Sequence, residues 1–234
     1  MQFFLFQVDT LSQAAAAAGA PTESLSLWYL LKEGGILMIP LALCSLALVY
    51  IFFERWMVIR KGAKYDPFFM VRIREYLQEG NVPAARSLAK TTPGPIARMV
   101  EKGLSRYGRT PEQVEKSMEA TGRQEIYSLE KNLSILNTIS RIAPIFGFLG
   151  TIAGMIVLFY NIQHVGFSLD AIAGGIYTKM VTSAVGLIIG LLAYLAYDYL
   201  NTQVSKITNR MEAAGADLQD AFLEYPADKP RVVG

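Results

Sequence analysis

Three apolar stretches of this 234-residue chain, residues 34–53, 142–163 and 174–197, contain no aspartate and no glutamate. An ionisable acid acting at their depth therefore has to come from another polypeptide. Cysteine is almost missing as well: Cys44 stands alone inside the first stretch, which excludes an intramolecular disulfide and a cysteine metal cluster and leaves it as a small apolar filler. The single histidine, His164, falls at the end of the second stretch without a nucleophile in motif spacing, and reads as an interfacial structural residue rather than a proton relay. There is no G-x-x-x-x-G-K-[ST] phosphate loop, no H-E-x-x-H and no Cys/His ligand spacing. No enzyme activity, metal, cofactor or nucleic-acid partner is expected.

What is present is segregated. Hydrophobic residues make up 52% and charged residues 18%, with a formal net charge of only +2, and the charges are confined to blocks. Such alternation is what spans and loops produce. Each apolar stretch has about the 20 residues a spanning helix needs, so 34–53, 142–163 and 174–197 are three predicted transmembrane helices; Lys179 is the one charge among them. Pro40 lies one turn inside the first, where a missing amide hydrogen matters least. Arg55, Arg60, Lys61 and Lys64 follow the first span, while Lys32 is the only basic residue before it, which places the N-terminus outside and the C-terminus inside. Tyr194, Tyr197 and Tyr199 sit where an aromatic belt is expected.

The segment 1–33 lacks a positive n-region and has only a short apolar run, so it reads as an external amphipathic element on the membrane surface rather than a cleaved signal. The block 54–141 reads as a cytoplasmic helical domain punctuated by proline and glycine. Asp66-Pro67 starts a helix that stops near Gly80-Asn81, Pro83 starts a short one, 92–95 (Thr-Pro-Gly-Pro) is a hard turn, and Thr110-Pro111 with Gln113 makes a capping-box start. From Pro111 no further strong breaker appears before the second span, which predicts one helix of about 50 residues projecting into the cytosol. Residues 164–173 form a short outer loop, and 198–234 a cytoplasmic helix and tail. The basic residues of the cytoplasmic block read as a solvated face and a topology signal. The expected fold is an all-α integral membrane protein whose second and third helices extend far into the cytoplasm as a helical bundle.

Two of the apolar helices carry a stripe of small and hydroxylated residues. On the second it comprises Pro144, Gly147, Gly150, Thr151 and Gly154; on the third, Gly175, Thr178, Lys179, Thr182, Ser183, Gly186 and Gly190. Each set falls within roughly 140° of a helical wheel. In lipid such a stripe either lets backbones approach closely or lines a polar path. Read singly, the glycines are contact points and Pro144 shapes its helix. The hydroxyls of Thr151, Thr178, Thr182 and Ser183 are the candidates for a proton pathway, because they can hold water near an acid and tune its affinity for a proton.

The residues 143–155, Ala-Pro-Ile-Phe-Gly-Phe-Leu-Gly-Thr-Ile-Ala-Gly-Met, resemble the A-P-x-x-G-x-x-G-T-x-x-G-[IM] segment of the ExbB/TolQ/MotA proteins, and 182–187, Thr-Ser-Ala-Val-Gly-Leu, resemble that family's [TA]-[TS]-A-x-G-L. Three spans, an outer N-terminus and a large cytoplasmic block complete a resemblance that covers nearly everything after residue 30 and lies nearer ExbB than TolQ or a four-span flagellar stator subunit. It implies a homopentamer in the bacterial inner membrane whose second and third helices enclose a single-span ExbD-like partner bearing an essential aspartate, coupled through a TonB-like protein to uptake across the outer membrane, with lipid around it. Many relatives carry a glutamate about five residues before the third-span hydroxyl, where this chain has Thr178 followed by Lys179. A TolQ-like role in envelope integrity and a non-conducting oligomeric scaffold are the alternative readings.

Overall fold

The computed structural model describes residues 37–63, 66–166 and 169–225, apart from the side chains of Val165, Asp170, Ala171 and Thr178. The segment 1–33 and part of the outer loop lie outside the described residues. The described chain folds into seven helices: α1 Met38–Gly62, α2 Phe69–Gln78, α3 Val82–Thr91, α4 Pro95–Leu104, α5 Pro111–Glu130, α6 Leu133–Val165 and α7 Leu169–Glu224. Three are long and apolar enough to cross a membrane, α1, α6 and the N-terminal part of α7. The protein is an all-α, multi-pass membrane protein.

Local chemistry sets most of the boundaries. The Asp66 carboxylate accepts the Phe68 amide at 3.0 Å ahead of α2. The Asn81 side chain accepts from the Ala84 amide at 3.2 Å and caps α3, with Pro83 in its first turn. Gly94, between two prolines, takes φ +126°, a conformation closed to other residues, and turns the chain into α4. α5 starts at Pro111 as its sequence predicts, but Thr110 makes no side-chain cap; its carbonyl accepts the Gln113 amide at 2.9 Å, so the expected capping box is not formed.

The expected single helix from Pro111 into the second span is not continuous either. Lys131 is extended and Asn132 adopts φ +65°, separating the more polar α5 from the apolar α6. Asparagine enters the left-handed region more cheaply than most residues, which lets the chain break there without a glycine. α7, by contrast, runs 56 residues without interruption, about 84 Å at 1.5 Å per residue.

The C-terminal half of α7 owes its place to one stripe. Leu200, Val204, Ile207, Met211, Ala214, Leu218 and Ala221 recur at alternating steps of four and three and are all buried, the seam of a helix that packs along its whole length. Against it lie Ile59 of α1, Ile73 and Leu77 of α2, Val100 and Leu104 of α4 and Met118 of α5. A two-point Arg98–Glu125 pair, with Nε to Oε1 at 2.7 Å, ties α4 to α5. In the membrane half α1 packs on both α6 and α7, and large apolar side chains such as Leu43, Leu46, Phe148, Ile156, Leu187 and Leu191 point outward.

Candidate proton-path seam

α6 and α7 form an antiparallel hairpin whose facing residues step in opposite directions along a ladder. Pro144 meets Gly190, Gly147 meets Gly186 and Ser183, Gly150 meets Thr182, Gly154 meets Lys179, and Leu158 meets Gly175. The approach is closest at Gly186, where a Cβ would stand 2.7 Å from the Ala143 carbonyl oxygen and 2.8 Å from the Gly147 Cα. Only hydrogen fits between two main chains at that separation. Gly190 receives the Pro144 ring, whose Cγ lies 2.5 Å from the would-be Cβ, and the Ser140 carbonyl at 3.1 Å. Proline at 144 has no amide hydrogen to give that carbonyl, and the glycine leaves it room.

The hydroxyls divide. Thr182 is 1% exposed and turns its methyl group toward Gly150, so it sits inside the hairpin. Thr151 and Ser183 are partly exposed at the margin of the same seam. The Thr151 hydroxyl donates to the Phe148 carbonyl at 2.6 Å, which commits its proton and leaves its oxygen as an acceptor. Thr178 has its backbone in α7, but its side chain lies outside the described residues. The Lys179 stem crosses Gly154, with Cγ, Cδ and Cε 2.2–2.3 Å from the position of a Cβ there. Gly175 takes the Leu158 side chain, 3.0 Å away by the same measure. The seam thus spends its glycines on contact within one chain and keeps Thr151 and Ser183 at its edge. At the C-terminal end of α6 His164 stacks on Tyr160, ring centroids 4.1 Å apart, and its Nδ1 lies 2.9 Å from the Tyr160 carbonyl.

A second cluster, at the end of α1 beside the α5–α6 break, has no motif in the sequence. Arg55, read as a solvated topology signal, is 5% exposed. Its Nη1 donates to the Ser128 carbonyl at 3.3 Å, in the last turn of α5, and its Nη2 to Glu54 at 2.5 Å. The Asn132 side chain donates to the other Glu54 oxygen at 3.4 Å. A guanidinium at a helix C-terminus is favoured by the dipole, so the cluster fastens the α5–α6 break to the end of α1. The only signal for it in the sequence is an asparagine in an otherwise helical run. Beside the break a cleft of about 570 Å³ opens between Tyr127, Lys131, Asn132, Asn137, Tyr197 and Asn201, at the Asn132 end of the α6–α7 seam.

The chain is similar in sequence to known proteins. The ExbB-like 1 protein of Synechocystis sp. is 28% identical over 207 residues, which is 82% of this chain and 77% of its own. The ExbB homolog of Methanothermobacter thermautotrophicus is 23% identical over 184 residues, 77% of this chain and 65% of its own. Biopolymer transport protein ExbB of Neisseria gonorrhoeae is 34% identical over a shorter 92 residues, 39% of this chain and 42% of its own. Residues 91–213, more than half of the chain and including all of α6 and α7 as far as Ala213, match the model of the MotA/TolQ/ExbB proton channel family, and the chain belongs to that family.

Proposed function

We propose that this chain is an ExbB-type subunit of a proton-driven motor in the bacterial inner membrane. The reading rests on one observation above the rest: a membrane seam that carries hydroxyls at its edge, Thr151 and Ser183, and no carboxylate. Several copies, a pentamer as in the family, surround the transmembrane helix of an ExbD-like partner whose aspartate takes up and releases the proton. Thr151, its own hydrogen engaged by Phe148, accepts a hydrogen bond from the protonated acid or from water beside it. Ser183 supplies both a donor and an acceptor on the facing helix. The polar cleft at Asn132, Asn137 and Asn201 is the cytoplasmic mouth. The relatives' names, biopolymer transport proteins among them, support transport through a TonB-like protein across the outer membrane as the output. The basic cluster after α1 supports an outer N-terminus.

A purely structural scaffold is the second reading, favoured by the number of seam glycines used within the hairpin. Thr151→Val separates the two. It removes the hydroxyl at nearly constant volume, so in cells carrying the partner the motor reading expects at least a tenfold loss of energised uptake with normal complex yield. Unchanged uptake selects the scaffold.

A further inference from the structure

Among the described residues no carboxylate lies within reach of Lys179. Its stem lies flat over Gly154, which is buried beneath it, so the side chain is seated in the seam rather than swinging free in lipid. Counted along α6 from Arg141, the seat is about 20 Å into the membrane, and His164 is about 15 Å farther out. An ammonium held at such a depth needs a partner. On α7 the flanking acids in the sequence are Asp170 and Asp198, about 13 and 28 Å away along the helix, well beyond a lysine stem. The ionisable groups of the packed helices nearest this depth are Tyr177 on α7, Tyr160 and His164 farther along α6, and Cys44 and Tyr50 on α1, and none of them is a carboxylate. The Glu54 carboxylate of α1 lies about 25 Å along that helix from Leu37, on the side away from Lys179, and Glu33 precedes the described residues. The described part of α1 reaches only the level of Gly150, where Leu37 Cδ1 lies 3.9 Å from the would-be Cβ.

We propose that Lys179 is the docking point for a carboxylate carried on a transmembrane helix of a second polypeptide, and that Gly154 is there to fix its ammonium at one depth. This rests on the partner assigned under the proposed function. An opposite charge within about 4–6 Å lowers a carboxyl pKa by one to three units. The paired acid therefore stays ionised to lower pH, and taking up a proton frees it from the lysine. Because the lysine is seated, release moves the partner helix and not the cation.

The test uses the complex purified with its single-span partner in bilayer discs. Dicyclohexylcarbodiimide reacts with protonated carboxyl groups, and mass spectrometry of the partner gives the pH midpoint of labelling. The midpoint is expected to rise by at least one pH unit in Lys179→Met. It rises in the same direction in Gly154→Ala, where the new methyl group evicts the stem, and stays near the original value in Lys179→Arg. If the partner's acid is labelled with the same midpoint in the original complex and in Lys179→Met, the pairing is overturned and the motor reading stands. If no partner acid is labelled at any pH, both fall. If the difference vanishes in discs without anionic lipid, the lysine pairs with lipid phosphate and the proposal fails.

Discussion

A methyl group added at Gly186 meets two main chains, whereas one added at Gly215 meets only the mobile ends of Met99 and Met118, each 3.6 Å away. Opposite outcomes follow from the same substitution. Gly186→Ala pushes α6 and α7 apart and is expected to cost about 1–3 kcal/mol. Gly215→Ala gains the helix preference of alanine, about 0.5–1 kcal/mol, at ordinary contact distance. Thermal unfolding in detergent should move down for the first and up for the second. The end of α7 offers a pH-sensitive contact. The Tyr107 hydroxyl donates to the Tyr225 carbonyl at 2.5 Å, its ring meets Phe222 edge-on at 5.0 Å, and burial pushes its phenol above the usual value. A folded pKa raised above the unfolded one means that the contact is at full strength below about pH 10 and is lost as pH rises through the folded value. Hydrogen exchange near Tyr225 should accelerate over that range, and Tyr107→Phe should show the faster exchange at neutral pH already. Residues of this kind were only half legible. The glycines stood out by type and spacing, but a helical wheel does not say whether a small residue faces its own hairpin, as Gly186 does, or an open path.

At the scale of elements, proline and glycine announced themselves: Pro83, the 92–95 turn and Pro111 begin or separate helices where the composition placed them. The α5–α6 break did not, because it rests on an asparagine in a left-handed turn and on a contact with Arg55, seventy-three positions away from Ser128. Burial of Arg55 was equally invisible, since positive charge after a span ordinarily signals topology. The break is expected to tolerate Asn132→Gly, which enters the same backbone region freely, while Asn132→Ala costs about 1–2 kcal/mol. Paired melting curves of the two variants check this. An equal loss in both would show that the 3.4 Å bond to Glu54, rather than the backbone, sets the joint.

At the scale of the whole molecule three spans and an extended helical bundle were legible in the sequence because apolar length and charge clustering are properties of long windows. Orientation is open to direct measurement. With Cys44→Ser as background, Arg109→Cys should react with a membrane-impermeant maleimide only after the cells are permeabilised, and His164→Cys should react in intact spheroplasts. The reverse pattern would invert the topology. The two seam helices leave the membrane in different ways: α6 is jointed at Asn132, while α7 continues unbroken to Glu224. A rod and a hinged strut fastened side by side do not respond alike to a push from within the bilayer. If α7 tilts by about 5° around its midpoint, its far tip swings some 3–4 Å over the roughly 42 Å of half-length, and the mismatch with α6 gathers at one asparagine. A small rearrangement at the membrane end of α7 is thus magnified into a sideways displacement at its far end.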